Sequence, residues 1–364
     1  VLRIYLAELK IWYIVLSKFQ EKLSCLAQTL NLIIIQLKND SMSHQQNNSR
    51  RDFLTHSAIF GLGMLLPKDM LAFGPKPNSK FGGVQMGVIT YSFRSMPGNI
   101  DQLIDYCKTC GINAIELMGE PAEAFAGSPV PFGGPGRDNN GPKLTQQERM
   151  KMAREWRESV SMDKFVELRK KLSKEGISVY AFKPNALNEN NSDGEIEFAM
   201  KAAKALGATS VTVELPGKAT HSKRLGEIAA KHKVYVGYHA HTQATDTAWD
   251  VALAQSPYNS LNLDCGHYIA AGGNNTKETL LALIEAKHDR ITSMHLKDRK
   301  NKTNGGANMP WGEGDTPIKE ILTLLKTKKY KIPVSIELEY NIPSGSDAVK
   351  EVTKCVAFAK NILS

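Results

Sequence analysis

From residue 84 onward, short runs of apolar and β-branched residues alternate with stretches of helical periodicity, eight times over. The strand candidates are Gln85–Tyr91, Asn113–Leu117, Ser178–Phe182, Ser210–Glu214, Val234–His239, Leu261–Asp264, Ile291–Leu296 and Val334–Glu339. Each is short, apolar and bounded by turn residues, the pattern of a strand covered on both faces in a parallel sheet. Between them, Ile100–Cys110 carries apolar residues at helical spacing, and Ile196, Ala199, Met200, Ala203 and Leu206 form one clean helical face. Gly111, Gly176 and Gly207 follow helical stretches directly, as suits a left-handed residue at a helix end. Eight β–α units with no spare strand predict an α/β fold, a single-domain (β/α)8 TIM barrel over residues 80–364. One connection is too long for such a barrel. Gly119–Pro142 is rich in Gly and Pro, and reads either as a cover over the catalytic face or as a disordered insertion.

Composition excludes several classes. The 364 residues are 42% hydrophobic and 23% charged, which rules out collagen, a coiled coil and wholesale disorder. No uncharged run reaches the ~18–20 apolar residues of a spanning helix, so stable membrane insertion is not expected. Five cysteines are too few for a disulfide framework, and Cys107 and Cys110 fall within a helical stretch, where packing explains them. Nearly half of the net charge of +9 lies in residues 1–79. The remainder shows no Lys/Arg run and no aromatic-interleaved basic stripe, so no nucleic-acid partner is expected.

The N-terminal region differs in texture. Residues 1–41 are rich in Leu and Ile and precede Met42, and read as an upstream or non-native extension. Residues 42–79 contain Ser49-Arg50-Arg51-Asp52-Phe53-Leu54, then an apolar stretch from Ser57 to Leu66, then a small-residue region. This string resembles a twin-arginine export signal, which is a receptor-read address rather than part of the fold. It implies a bacterial, periplasmic protein that crosses the membrane already folded.

In a barrel, chemistry comes from the C-terminal ends of the strands. Here those ends carry Glu116, Lys183, Glu214, His239 and His241, Asp264 and His267, His295 with Lys297 and Asp298, and Glu337 with Glu339. Charged groups inside a barrel are costly unless paired or bound to a metal. Two or three carboxylates with an imidazole suit one divalent ion, Mn, Co, Mg or Zn, with positions open to substrate oxygens.

The strings Val213-Glu214, Leu263-Asp264-Cys265-Gly266-His267 and Met294-His295-Leu296-Lys297-Asp298-Arg299 continue with Trp311-Gly312-Glu313-Gly314-Asp315 and Ile336-Glu337-Leu338-Glu339-Tyr340. In this order they resemble the xylose isomerase-like barrel family, the superfamily of sugar phosphate isomerases and epimerases. The resemblance implies one divalent metal held by Glu214, Asp264, His295 and Glu337, with Glu339 an alternative to Glu337. It implies substrate contacts from His267 and Arg299, and a pocket completed by His239, His241 and Lys183. Glu214 and Glu337 would act as acid and base on opposite faces of a ketose or keto-sugar, through a cis-enediolate. Export favours a free, non-phosphorylated sugar. The same site suits a 3-keto-glycoside lyase or hydrolase. An apurinic-endonuclease-type phosphodiesterase and a non-catalytic sugar-binding barrel are weaker readings. Relatives are often dimers or tetramers, so a homo-oligomer is compatible with the resemblance.

Overall fold

Eight parallel strands close on themselves in the computed structural model, which describes residues 76–131 and 144–364. The strands are β2 (Val84–Ile89), β3 (Ala114–Met118), β4 (Ser178–Lys183), β5 (Ser210–Glu214), β6 (Tyr235–His239), β7 (Asn259–Asp264), β8 (Ile291–Leu296) and β11 (Val334–Ile336). β2 pairs in parallel with β3 on one side and β11 on the other, which completes the ring. A short β1 (Lys80–Phe81) adds antiparallel to β2, and β9 (Asp298–Arg299) pairs with β10 (Asn308–Met309) in a separate ribbon above β8.

The helices are α1 (Ile100–Cys110), α2 (Gly119–Phe125), α3 (Gln146–Ser159), α4 (Asp163–Lys174), α5 (Asp193–Leu206) and α6 (Ala219–His232). They continue with α7 (Asp250–Gln255), α8 (Cys265–Ala271), α9 (Lys277–Lys287), α10 (Ile318–Lys328) and α11 (Ala348–Leu363). Local chemistry explains their starts. Asn99 with Gln102, Thr145 with Glu148 and Ser192 with Glu195 form reciprocal capping boxes at α1, α3 and α5. Gly111, Gly176 and Gly207 adopt φ of 72°, 81° and 81° just past α1, α4 and α5, which a side chain would disfavour. The buried face of α5 is the one expected, Ile196, Ala199, Met200, Ala203 and Leu206. Cys107 and Cys110 are buried on α1 and act as packing residues.

Three boundaries differ from the sequence reading. The first strand stops at Ile89, because Thr90–Phe93 turns into a 3-10 helix. Regular pairing of the last strand stops at Ile336, so Glu337 and Glu339 stand on the extension beyond it. The Gly/Pro-rich segment opens with helix α2 rather than with loop. Residues 132–143, the 1–41 extension and the Arg50-Arg51 string all lie outside the described residues.

One buried ion cluster ties α2, α3 and α5 together. Arg157 on α3 donates to both oxygens of Glu123 at 3.0 Å, and to Glu195 at 3.1 Å and the Asn185 carbonyl at 3.0 Å. Removing the guanidinium strands two buried carboxylates, and that penalty exceeds the worth of an intact pair. Arg157→Ala should therefore lose about 3 kcal/mol of stability, measured by guanidinium unfolding. A loss below about 1 kcal/mol would show that the carboxylates find water or protons instead.

Candidate active site

The barrel lumen is polar where such barrels are usually filled by aliphatic layers. Glu116, Thr212, Asn262, Ser293, His295 and Ser335 are all buried there, from five of the strands. Above them, at the C-terminal strand ends, His239, Asp264, Lys297 and Glu337 are buried as well. The floor holds His295 by its back, since Nε2 donates to Glu116 at 2.7 Å. Its other nitrogen, Nδ1, donates to Glu337 at 2.9 Å. Burial alone would favour a neutral ring, but the two flanking carboxylates override it and push the His295 pKa up to about 10.

Lys297, two residues along the same strand extension, is almost fully buried. Its ammonium lies 2.7 Å from Glu337, 2.7 Å from Glu339 and 3.2 Å from Asp264. It also donates to His267 Nε2 at 3.0 Å. Burial disfavours the charge, yet Asp264, Glu337 and Glu339 hold the Lys297 pKa above its ordinary value. The amine is therefore kept as an ammonium. The same cation, with His295, draws Glu337 well below the usual carboxylate range against the cost of burial. Asp264 is less compensated, and burial pushes it up to about 6 in spite of Lys297.

Gly266 permits this arrangement. A Cβ at that position would sit 2.6 Å from the Lys297 carbonyl oxygen and would strike its side chain, so the Asp264-Cys265-Gly266-His267 turn needs glycine to pass over Lys297. Asp298 has a separate task. It accepts backbone N–H groups from Gly312 at 2.8 Å, Gly314 at 2.9 Å and Thr316 at 3.2 Å, and so fastens the 311–316 loop to the strand end.

The donor atoms then converge on a gap. Asp264 Oδ1 caps α8 by accepting from the His267 N–H at 2.6 Å, but Oδ2 is buried and makes no hydrogen bond. It lies 3.9 Å from His239 Nε2 and 3.8 Å from His295 Nδ1. Donor atoms of His239, Asp264 and His295 all fall within 4.8 Å of one another. Burial, with cationic His295 and Lys183 nearby, drives the His239 pKa well down, so this ring is neutral. A bare imidazole nitrogen, a carboxylate oxygen whose one close contact is the Lys297 ammonium at 3.2 Å, and a second imidazole fit a divalent cation.

Glu214 is not brought into this buried group. It is half exposed at the rim, where Lys183 donates to it at 3.1 Å and His241 Nδ1 lies at 3.4 Å. Its cross-strand neighbour is His239, whose ring goes down into the cluster instead. Thr212, two residues earlier on β5, already occupies the lumen layer against Glu116, which leaves Glu214 one layer higher. Glu337 meets His295, whereas Glu339 lies further out, against Lys297 and His267. His267 is flanked by Lys297 and by Arg299, whose Nη1 lies 2.5 Å from its Nδ1. Burial, then Lys297, His241 and Arg299, push its pKa down to about 2. His241 sits edge-on to His239 and His267 at the mouth. Glu116 and Lys297 were recognised as strand-end residues but given no role, and Asn262 is a part of the site that strand-end reasoning did not select.

The sequence matches the family model described as xylose isomerase-like TIM barrel over residues 104–357. The chain belongs to that family. No curated protein sequence matches it. Among solved structures it is similar to the probable 3-DHS dehydratase AsbF of Bacillus anthracis, at 15% identity and TM-score 0.53, covering 75% of this chain and 98% of that one. It is similar to the IOLI protein with a bound zinc atom, at 17% identity and TM-score 0.53, covering 77% and 99%. It is also similar to 3-keto-D-glucoside 4-epimerase, YcjR, of E. coli, at 12% identity and TM-score 0.52, covering 76% and 99%. At these identities the likeness is one of fold.

Two outcomes follow for this xylose isomerase-like barrel. Lys297→Met leaves Asp264, Glu337 and Glu339 without their shared cation, and should cost about 3–5 kcal/mol in cation-free protein. A saturating divalent ion should recover part of that loss in a thermal unfolding series. An unchanged midpoint would show that the carboxylates do not depend on Lys297. The second outcome concerns pH. His295 keeps its Nδ1 proton up to about 10, so a cation bound through Nδ1 must release it. Above about pH 7, with Asp264 already ionised, the apparent Kd should fall about tenfold per pH unit. Calorimetry in buffers of different ionisation enthalpy counts the proton, and a pH-independent Kd would place the cation elsewhere.

Proposed function

We propose that the protein is a divalent-cation-dependent isomerase or epimerase acting on a free ketose or keto-sugar. The observation that carries this reading is the convergence of Asp264 Oδ2, which makes no hydrogen bond and lies 3.2 Å from the Lys297 ammonium, with His239 Nε2 and His295 Nδ1 at the C-terminal end of the barrel. His239, Asp264, His295 and Glu337 would hold the ion. Bound there, it would polarise a carbonyl and the neighbouring hydroxyl of a sugar, so that the adjacent C–H becomes acidic enough to exchange.

The chain's own residues supply the rest. Glu214 ends β5 and Glu337 follows β11, and these strands are four apart in a ring of eight, on opposite walls of the lumen. Two carboxylates so placed suit removal of a proton from one face and its return to the other, which is epimerisation. Return to the neighbouring carbon is isomerisation. Lys297, held as an ammonium by three carboxylates, is unsuited to attack a carbonyl, so enediolate chemistry is favoured over an imine. His267, His241 and Arg299 line the approach and suit sugar hydroxyls.

A non-phosphorylated substrate fits the charge balance. Lys297 is engaged by three carboxylates and Lys183 by Glu214, so neither is free for a phosphate. The Arg50-Arg51 string supports export to a bacterial periplasm, where free sugars are the expected substrates.

The test is solvent deuterium exchange, followed by NMR, with a panel of ketoses and 3-keto-glycosides and added Mn²⁺, Co²⁺, Mg²⁺ or Zn²⁺. Cation-dependent uptake beside a carbonyl is expected, and the products separate epimerisation from elimination. Glu214→Gln should keep cation affinity and lose at least about 100-fold in exchange rate. His239→Ala should lose the cation itself. Loss of the cation in Glu214→Gln, with His239→Ala unaffected, would reverse the two assignments.

A further inference from the structure

Glu116 lies at the centre of the lumen floor, fully buried, and none of the substrate-facing groups explains it. It accepts four hydrogen bonds. Thr212 donates to Oε1 at 2.7 Å, while His295 Nε2 at 2.7 Å, Ser335 at 3.2 Å and Asn262 Nδ2 at 3.3 Å donate to Oε2. These partners come from β5, β7, β8 and β11. Four donors thus converge on its two oxygens, so the group is an acceptor only.

That single fact fixes a chain of proton positions. His295 must carry its hydrogen on Nε2, because Glu116 can only accept. Asn262 must turn its NH2 toward Glu116, and the same NH2 donates to Ser293 at 2.7 Å. The Asn262 oxygen then faces His239 Nδ1 at 3.0 Å, so His239 carries its hydrogen on Nδ1. The nitrogen left bare on His239 is Nε2, which points toward Asp264 Oδ2. On His295 the only proton that a cation can replace is the one on Nδ1, which faces the same oxygen.

The backbone supports the arrangement. Pairing of β3 with β4 shifts register between Ile115 and Glu116, and pairing of β7 with β8 shifts between Leu261 and Asn262. The extra residue is on the facing strand in each case, Tyr180 on β4 and Thr292 on β8. Both shifts fall at the two residues that relay the hydrogen bonds.

We infer that Glu116 is a positioning residue that sets the tautomers of both imidazoles, His295 directly and His239 through the Asn262 amide, so that both present ligating nitrogens to one divalent cation beside Asp264. This rests on the cation-site reading above. It predicts a distinct role for a residue that touches neither cation nor substrate.

The experiment uses the full chain with ¹⁵N-labelled histidine. In cation-free wild type, long-range ¹H–¹⁵N correlations should show His239 as the Nδ1–H tautomer. Glu116→Gln and Asn262→Leu, which removes the acceptor facing His239 Nδ1, should each erase that signature. Each should also weaken Zn²⁺ and Mn²⁺ binding by calorimetry about 10- to 100-fold. Ser335→Ala, which removes one of the four hydrogen bonds to Glu116 and the contact with Tyr180 but keeps the carboxylate, should change affinity less than threefold. This variant is the control for general loosening of the floor. If Glu116→Gln keeps both tautomer and affinity while its melting temperature falls, Glu116 is structural and the inference is overturned. If Glu116→Gln does not fold, Asn262→Leu carries the same test at His239. A wild type with the expected tautomer that binds neither ion overturns the cation-site reading but leaves tautomer control by Glu116 standing.

Discussion

The ammonium of Lys297 among Asp264, Glu337 and Glu339 is the interaction on which the upper half of the lumen depends. Four carboxylates, counting Glu116, enclose a space that also excludes most water. Burying that much charge of one sign is prohibitive without counter-ions. Lys297 and protonated His295 supply two, and the Asp264 carboxyl, still raised to about 6, registers the charge left over. An unbalanced buried carboxylate in a cleft is the electrostatic signature of a functional site rather than of a stabilised core. Stability alone would be served better by aliphatic residues at these positions.

The surrounding fold keeps that cluster from relaxing. β7 and β8 hold Asp264 and His295 side by side in parallel register, and β8 and β11 do the same for His295 and Ser335. Gly266 lets the turn after β7 lie directly over Lys297. Asp298 is spent on three amides of the 311–316 loop, so the loop and the strand end move as one unit. Arg299, anchored to the Gly306 carbonyl at 3.0 Å, brings its guanidinium to His267. The mouth of the pocket is thus built from segments whose backbones are individually tied to the barrel.

Much of this was legible from the residues. The eight strands follow from apolar runs bounded by turns, and their ends follow from where those runs meet charged residues. Asp264, His295 and Glu337 were readable because alternation and strand-end position both place them in the lumen. Glu214 satisfies the same two criteria, yet it stands at the rim with Lys183 and His241. The difference lies in the stagger of the barrel, which sets the depth of each strand end and has no local sequence signal. Glu116 was visible at a strand end, but not its role, which comes from donors on four other strands. Asn262 was hidden because it lies inside β7, and its importance comes from His239, Glu116 and Ser293 on other strands. Lys297 was visible as a strand-end residue, but its role depends on three acids contributed by two other segments of the chain.

Placing His239 beside Asp264 also changes the character of the donor set. On the proposed reading it holds two imidazole nitrogens and two carboxylates, where the sequence resemblance implied three carboxylates and one imidazole. Each exchange of a carboxylate for a neutral ring removes a negative charge and softens the site. Mg²⁺, which favours oxygen ligands and retains its waters, is then the poorer fit, and Zn²⁺, Co²⁺ or Mn²⁺ the better. The charge argument points the same way. Lys297 already neutralises part of the lumen, so one fewer carboxylate around the ion keeps the cluster from needing a second metal. An ion with fewer anionic ligands would also keep more of its charge for polarising a sugar carbonyl. On the proposed reading the buried imidazole pair and the buried lysine would act together: one would shape which cation enters, and the other would limit how much negative charge that cation has to share.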